Sequence, residues 1–284
     1  MNRLGTAKRV QVISALVEGS SINAIVRMTG VAKHTILNLP EDTECACAAC
    51  HHRHVRGLRA RRIQCDEIWQ FVGGKAKNAT PEQKVAGCGD VWTWVALDAH
   101  TKLCISYLPR GRDTGWAKDF TFDIRQRVVG RPQITTDAHK PYMVAIEMAF
   151  GENVDYAQMH KIYGTSSDSP ESRYSPATCI GCDMKLVIGD PDPKHVSTSS
   201  VERQNWSLRT SVRRMTRLSN GFSRKARNHG AAIALNYFAY DFIKIHSTLR
   251  TSTAMAAGVT DRLWDVSDLV TPWETYEMEA ERAA

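Results

Sequence analysis

The chain has 284 residues, 43% of them apolar, enough to bury the core of one large domain or of a small module joined to a larger one. No run of about 18 apolar residues occurs, and the basic start Met1–Val10 is not followed by an apolar block with a cleavage site, so neither a membrane span nor a secretory leader is expected. Eight cysteines, most of them scattered, do not resemble a secreted disulfide framework, and a net charge of +7 favours a polyanionic partner; the expectation is a soluble cytoplasmic protein.

Val10, Ile13, Ala15, Leu16 and Val17 recur at helical spacing up to Glu18-Gly19, which predicts a first helix over about 7–18. Ser20 or Ser21 can cap a second, carrying Ile22, Ile25, Val26 and Met28 and ending at Thr29-Gly30. Val31 begins a third, with Ile36, Leu37 and Leu39, and Pro40 is expected to stop it. Three short helices with a glycine turn form a helix-turn-helix pattern over residues 1–44. Its third helix would offer Lys33, His34, Thr35 and Asn38 to phosphates and base edges of double-stranded DNA. A three-helix protein-interaction module has the same pattern.

Cys45, Cys47, Cys50, His51, His52 and His54 crowd into one segment, but no second ligand pair follows a loop, as zinc fingers require. The alternative is an Ala-rich helix running into the basic stretch Arg53–Arg62, so that residues 45–61 form a basic linker able to track a phosphate backbone.

Arg62–Val72 is a run of β-branched and aromatic residues interrupted by Asp66 and Glu67, which point to opposite faces of a strand. Gly73–Gly89 is expected to be a long turn, Val91–Leu97 a second strand, and Lys102–Leu108 a third after a tight turn at Asp98. Trp116, Phe120, Ile124 and Val128 form one apolar helical stripe. Ile134–Thr136 is a short strand with Asp137 at its carboxyl end, Pro141 opens a helix through Phe150, and Val154–Met159 is a fifth strand. Asp66 at the sheet centre and Asp137 at a strand end can share one metal, the position where α/β folds place ligand chemistry. Asp137 is also a plausible helix cap.

Residues 163–195, rich in Gly, Ser, Pro and Asp, are expected to form a long loop, in which Cys179-Ile180-Gly181-Cys182 is a lone pair without a second. Ser197–Leu218 is predicted helical, with Glu202, Asn205, Trp206, Arg209 and Arg213 on one face. Arg203 to Arg227 contains eight basic residues, among them Arg209, Arg213, Arg214 and Arg217, and no acid, a pattern suited to a DNA backbone or to a solvated face. Ser199-Ser200-Val201-Glu202 also matches a capping box, a structural use of the same carboxylate. Asn228–Ile245 is apolar nearly all round and is expected in the core.

Gln64-Cys65-Asp66-Glu67-Ile68-Trp69, Thr135-Thr136-Asp137-Ala138-His139-Lys140, Asp192-Pro193-Lys194-His195 with Ser200-Val201-Glu202-Arg203-Gln204-Asn205, and Ile245-His246-Ser247-Thr248-Leu249-Arg250 with Ala254-Met255-Ala256-Ala257-Gly258 together resemble the transposases of the insertion-sequence-one family. The resemblance runs over nearly the whole chain. It implies an α/β, ribonuclease-H-like catalytic domain, a mixed sheet flanked by helices, at residues 62–250. The all-α helix-turn-helix module would precede it and a tail, 251–284, would follow. It further implies a DDE triad of Asp66, Asp137 and Glu202, and Arg209 as the basic residue near the cleaved DNA end. The Cys/His segment and Cys182 depart from the family pattern.

Three such carboxylates can hold two Mg²⁺ or Mn²⁺ ions, which stabilise charge on the attacking and leaving oxygens of a phosphodiester; hard oxygen ligation disfavours zinc. The expectation is a transposase that binds terminal inverted repeats, cuts and joins DNA, and works as a homo-oligomer at the nucleoid, away from membranes. A catalytically inactive DNA-binding regulator and a ribonuclease-H-type nuclease are the alternatives.

Overall fold

In the computed structural model, which describes residues 4–164, 179–216 and 220–283, the chain is organised by one sheet. Strands β1 (Arg62–Val72), β2 (Gly89–Asp98), β3 (Cys104–Arg110), β4 (Gln133–Asp137), β5 (Asp155–Tyr163) and β6 (Cys179–Ile188) lie in the order β3-β2-β1-β4-β5-β6. The pairs β1–β2, β2–β3 and β5–β6 are antiparallel, and β1–β4 and β4–β5 are parallel. The strand alternation written into β1 and β2 sorts side chains to two apolar layers. Ile63, Cys65, Trp94 and Ala96 join the larger core with Phe120, Ile124, Tyr142 and Ile146, whereas Ile68, Val95 and Leu97 pack with Val201, Leu208, Ile233 and Tyr237.

Helices α5 (Thr114–Arg127) and α6 (Pro141–Phe150) supply the first layer. Asp113 caps α5, its Oδ1 accepting from Gly115 N at 2.8 Å and Trp116 N at 3.2 Å, and Pro141 starts α6 at a position that lacks an acceptor for an N–H anyway. Helices α7 (Ser199–Ser211) and α8 (Ala226–Phe238) supply the second, and the apolar stretch that continues from α8 ends in one π-helical turn, Ala239–Ile243.

At the N-terminus α1 (Thr6–Val17) and α2 (Ile22–Thr29) fall where periodicity places them, Ser21 capping α2 and Gly30 closing it at φ 70°. The third helix does not stop at Pro40: α3 runs from Lys33 to His54. Proline in a helix interior costs about 3 kcal/mol, but Pro40 is itself buried, and Ile36, Leu39 and Cys47 on the same helix belong to the main core, so tertiary packing outweighs the local preference. Neither the basic stretch nor the C-terminal stretch hangs free. Val55, Leu58 and Ala60 are buried, and Leu58 exchanges backbone bonds of 2.9 Å with Arg127 and Val129. Helix α10 (Ser267–Ala283), reached through the short α9 (Thr253–Ala256), places Leu269, Val270 and Trp273 in the same core, with Val266 just before it. Arg9 of α1 lies 4.3 Å over the Trp273 ring and bonds Glu277 at 2.9 Å.

Three further expectations are corrected. Residues 73–89 contain a 3-10 turn (Ala76–Asn78) and α4 (Pro81–Val85), the latter closed by a capping box between Thr80 and Gln83. The expected loop 163–195 contains β6, which pairs along β5; residues 165–178 lie outside the described part. Helix α7 ends at Ser211 rather than Leu218, because Val212 turns extended (φ −99°, ψ 99°) and a 3-10 turn, Arg213–Met215, follows. Arg217 and Leu218 are not among the described residues. No described helix is long and apolar enough to cross a membrane.

Candidate active site

Residues Gln64 and Asp66 alternate with Cys65 and Glu67, so the first pair faces α7 and the second the opposite layer. The Gln64 carbonyl oxygen accepts from Ser200 N at 2.8 Å and Val201 N at 3.2 Å, tying the first turn of α7 to the strand. One turn later Asn205 donates to Asp66 Oδ2 at 2.8 Å. Burial, and then the neighbouring carboxylate of Asp137 with that of Glu202 behind it, push the Asp66 acid up to about 7, against the opposing bonds from the Glu67 backbone and Asn205.

Asp137 reaches this face through strand register. Gln64 and Thr135 are partners in the parallel pair β1–β4, so Asp66 and Asp137, two residues further along each strand, stand abreast. Its Oδ1 accepts from His139 N at 2.9 Å, while the N-cap of α6 is Lys140; the carboxylate does not cap that helix. Its Oδ2 lies 4.0 Å from Arg112, whose guanidinium donates to Glu67 Oε2 through Nη2 at 3.0 Å and Nε at 3.1 Å. Burial first, and Asp137 second, push Glu67 up to about 8.

Glu202 is not in a capping box. The N-cap of α7 is Thr198, not Ser199, and the Glu202 Oε1 accepts from the Thr198 hydroxyl and from the Lys161 ammonium. Lys161 sits two residues beyond Met159, the β5 partner of Asp137, and therefore on the same face of the sheet. The site is thus a row of carboxylates from mid-strand, strand end and helix start, with Arg112 and Lys161 at its flanks.

This donor set suits a hard divalent cation such as Mg²⁺ or Mn²⁺. Asn205 Oδ1, on the same face as the triad, is a buried acceptor without a hydrogen-bond partner. The three carboxylates are not drawn into a tight set. The compact group of potential ligand atoms among the described residues, all within 4.8 Å of one another, is instead His51, Cys104 and Asp241, deep in the core. His51 comes from the Cys/His segment, whose cysteines helix α3 spreads around its axis: Cys45 is exposed, Cys47 buried and Cys50 half-buried.

Of the residues expected to meet DNA, Lys33, His34 and Asn38 are exposed along the start of α3, with Thr35 half-buried. Arg209 donates to the backbone oxygens of Trp69 at 3.1 Å and Met215 at 3.2 Å, and Arg214 to that of Asn228 at 2.8 Å. Arg213 is exposed. Lys33, Arg213 and Arg214 line one cleft of about 630 Å³ between the N-terminal helices and the α7–α8 layer. Sequence reasoning gave no site role to Arg112, Lys161 or Asn205. Asn205 stood on the right helix face, whereas Arg112 and Lys161 become visible only once the strands are in register.

No family model matches the sequence, and no curated protein matches it. Among solved structures the chain is similar to piggyBac transposase as seen by cryo-electron microscopy in a synaptic complex with hairpin DNA. The TM-score is 0.39 at 12% identity, over 94% of this chain and 70% of that one.

Proposed function

We propose that the chain is a DDE-type DNA transposase of the insertion-sequence-one kind, which binds the terminal inverted repeats of its element, cuts there and joins the ends to target DNA. The observation that carries this reading is the convergence of Asp66, Asp137 and Glu202, far apart in sequence, on one side of one sheet. The strand order, an antiparallel edge followed by two parallel strands, supports a ribonuclease-H-like catalytic domain over residues 62–250. The arrangement of α1, α2 and α3 supports a helix-turn-helix at residues 1–44.

Mg²⁺ or Mn²⁺ held by Asp66, Asp137 and Glu202 would supply Lewis acidity at the phosphodiester and make bound water a nucleophile near neutral pH. The chain's own residues do the positioning. Gln64 fixes the start of α7, Asn205 orients Asp66, and Arg112 holds the Glu67 side chain beside the triad. Lys33 and Arg213 would draw the DNA backbone into their shared cleft, by the charge attraction that dominates such binding. In this reading the protein acts as a homo-oligomer on DNA in the cytoplasm, at the nucleoid.

The test is a set of single substitutions, Asp66→Ala, Asp137→Ala and Glu202→Gln. Each should abolish Mg²⁺-dependent cleavage and joining of element-end DNA while band-shift affinity is retained. Joining that survives in Glu202→Gln sinks the triad. A wild-type protein that footprints the ends yet never cuts them with Mg²⁺ or Mn²⁺ is a regulator, not a transposase.

A further inference from the structure

Lys161 is the one charged group of this site to which the chemistry above gives no duty. Its place is fixed by the sheet: its partner on β6 is Cys182, Met159 two residues earlier pairs with Asp137 on β4, and its side chain lies on the face that carries Asp66 and Asp137. The ammonium ends on Glu202 Oε1, which also takes the Thr198 hydroxyl. That oxygen is therefore fully engaged by two donors before any cation arrives. With side-chain exposures of 28% and 38%, both partners are partly withdrawn from water, and their attraction is screened less than that of a surface pair.

The choice of partner matters. Asp66 and Asp137 are set by strand register, but Glu202 comes from a helix, and its longer side chain is the member of the three that can swing. A divalent ion at the triad and an ammonium on Glu202 repel one another, and they compete directly wherever the ion takes Oε1.

We propose that Lys161 is a positioning residue that holds Glu202 through Oε1 in the absence of a divalent ion and surrenders it when one binds, so that this ion pair and metal ligation through Oε1 exclude one another. The inference rests on the triad reading above. Once released, the ammonium stands beside the triad, where it can meet a phosphodiester oxygen of the bound strand.

The experiment is a Mn²⁺ titration of the full chain without DNA, followed by the electron paramagnetic resonance of free Mn²⁺. Wild type, Lys161→Met, Lys161→Gln and Asp66→Asn are compared, with circular dichroism confirming the fold. Removing the competing charge should tighten Mn²⁺ binding at least about fivefold in both Lys161 variants at low salt, while Asp66→Asn weakens it. Equal or weaker binding in Lys161→Met and Lys161→Gln, with Asp66→Asn still impaired, overturns the role of Lys161 and leaves the triad standing. If Asp66→Asn binds Mn²⁺ as wild type does, the triad itself is not the ion site and both readings fall.

Discussion

Asn205 donates its side-chain amide to Asp66 Oδ2 at 2.8 Å, one helical turn after Glu202, so the acid at the centre of the sheet is oriented by the helix that carries Glu202. Groups that orient metal ligands typically affect metal affinity or activity 10–100-fold when removed. Asn205→Ala should therefore lower end cleavage by roughly one to two orders of magnitude with DNA affinity unchanged, and an activity within twofold of wild type, roughly the scatter of such assays, would show the brace to be dispensable.

The Arg112–Glu67 pair offers a double-mutant cycle. Glu67 is buried and its Oε1 has no partner, while Arg112 supplies two bonds to Oε2 and lies 4.2 Å over the Trp92 ring. Arg112→Met leaves a buried carboxyl with less satisfaction, a loss of about 1–3 kcal/mol. Adding Glu67→Gln should recover part of it, because the amide brings no charge to bury. Strictly additive losses in urea denaturation would show that the two side chains do not act together.

Cleft residues Lys33 and Arg213 should behave as phosphate contacts. Lys33→Ala and Arg213→Ala are each expected to weaken binding to all DNA sequences alike and to reduce the slope of log affinity against log salt by about 1. Arg214→Ala should instead act on stability, since its guanidinium bonds the Asn228 carbonyl at 2.8 Å inside the fold. A salt slope unmoved by Lys33→Ala and Arg213→Ala would place the DNA elsewhere.

Stability should fall as pH rises through the neutral range, because of Asp241. This carboxyl is fully buried, accepts from Cys104 N at 3.0 Å and Thr253 Oγ1 at 2.7 Å, and leaves Oδ2 without a hydrogen bond, 4.0 Å from His51 Nε2. Burial pushes it up to about 8 from its ordinary 3.8, so the folded chain keeps a proton that the unfolded chain releases. Its contribution is complete below about pH 4 and is lost as pH climbs to about 8, by roughly 1.4 kcal/mol per pH unit at most. His51 has the opposite sign: burial lowers it to about 4 from 6.5, so its contribution is lost as pH falls through that window. Above pH 6.5 the Asp241 decline is no longer opposed by His51. Asp66 and Glu67, raised to about 7 and about 8, add to the decline with the same sign, so Asp241→Asn should make it shallower, as read from urea midpoints between pH 6.5 and 8, and parallel curves for the two proteins would contradict the assignment.

Much of this was legible in the sequence. The β-branched runs placed β1, β2 and β4, and an acid inside such a run drew attention to Asp66 before any contact was known. Local signals failed where distant packing decides. Pro40 reads as a helix end, yet burial of its flanks carries α3 on to His54. Strand β6 escaped notice because its residues are mostly exposed on both faces, so no alternation marks it among the surrounding glycines and prolines. Lys161 looked like any surface lysine; its proximity to Glu202 depends on pairings made with β4 and β6.

Gln64 has a consequence for how the site can vary. It grips α7 at Ser200 and Val201, while Asp66, two residues along the same strand, grips it at Asn205. Two attachment points on each rigid element remove both the sliding and the rolling of one past the other, and Glu202 lies between them. The spacing of the acids is therefore not adjusted by the loops that join them, however long those become. A single residue gained or lost between Gln64 and Asp66 would turn one grip to the far face of the sheet and set the helix loose.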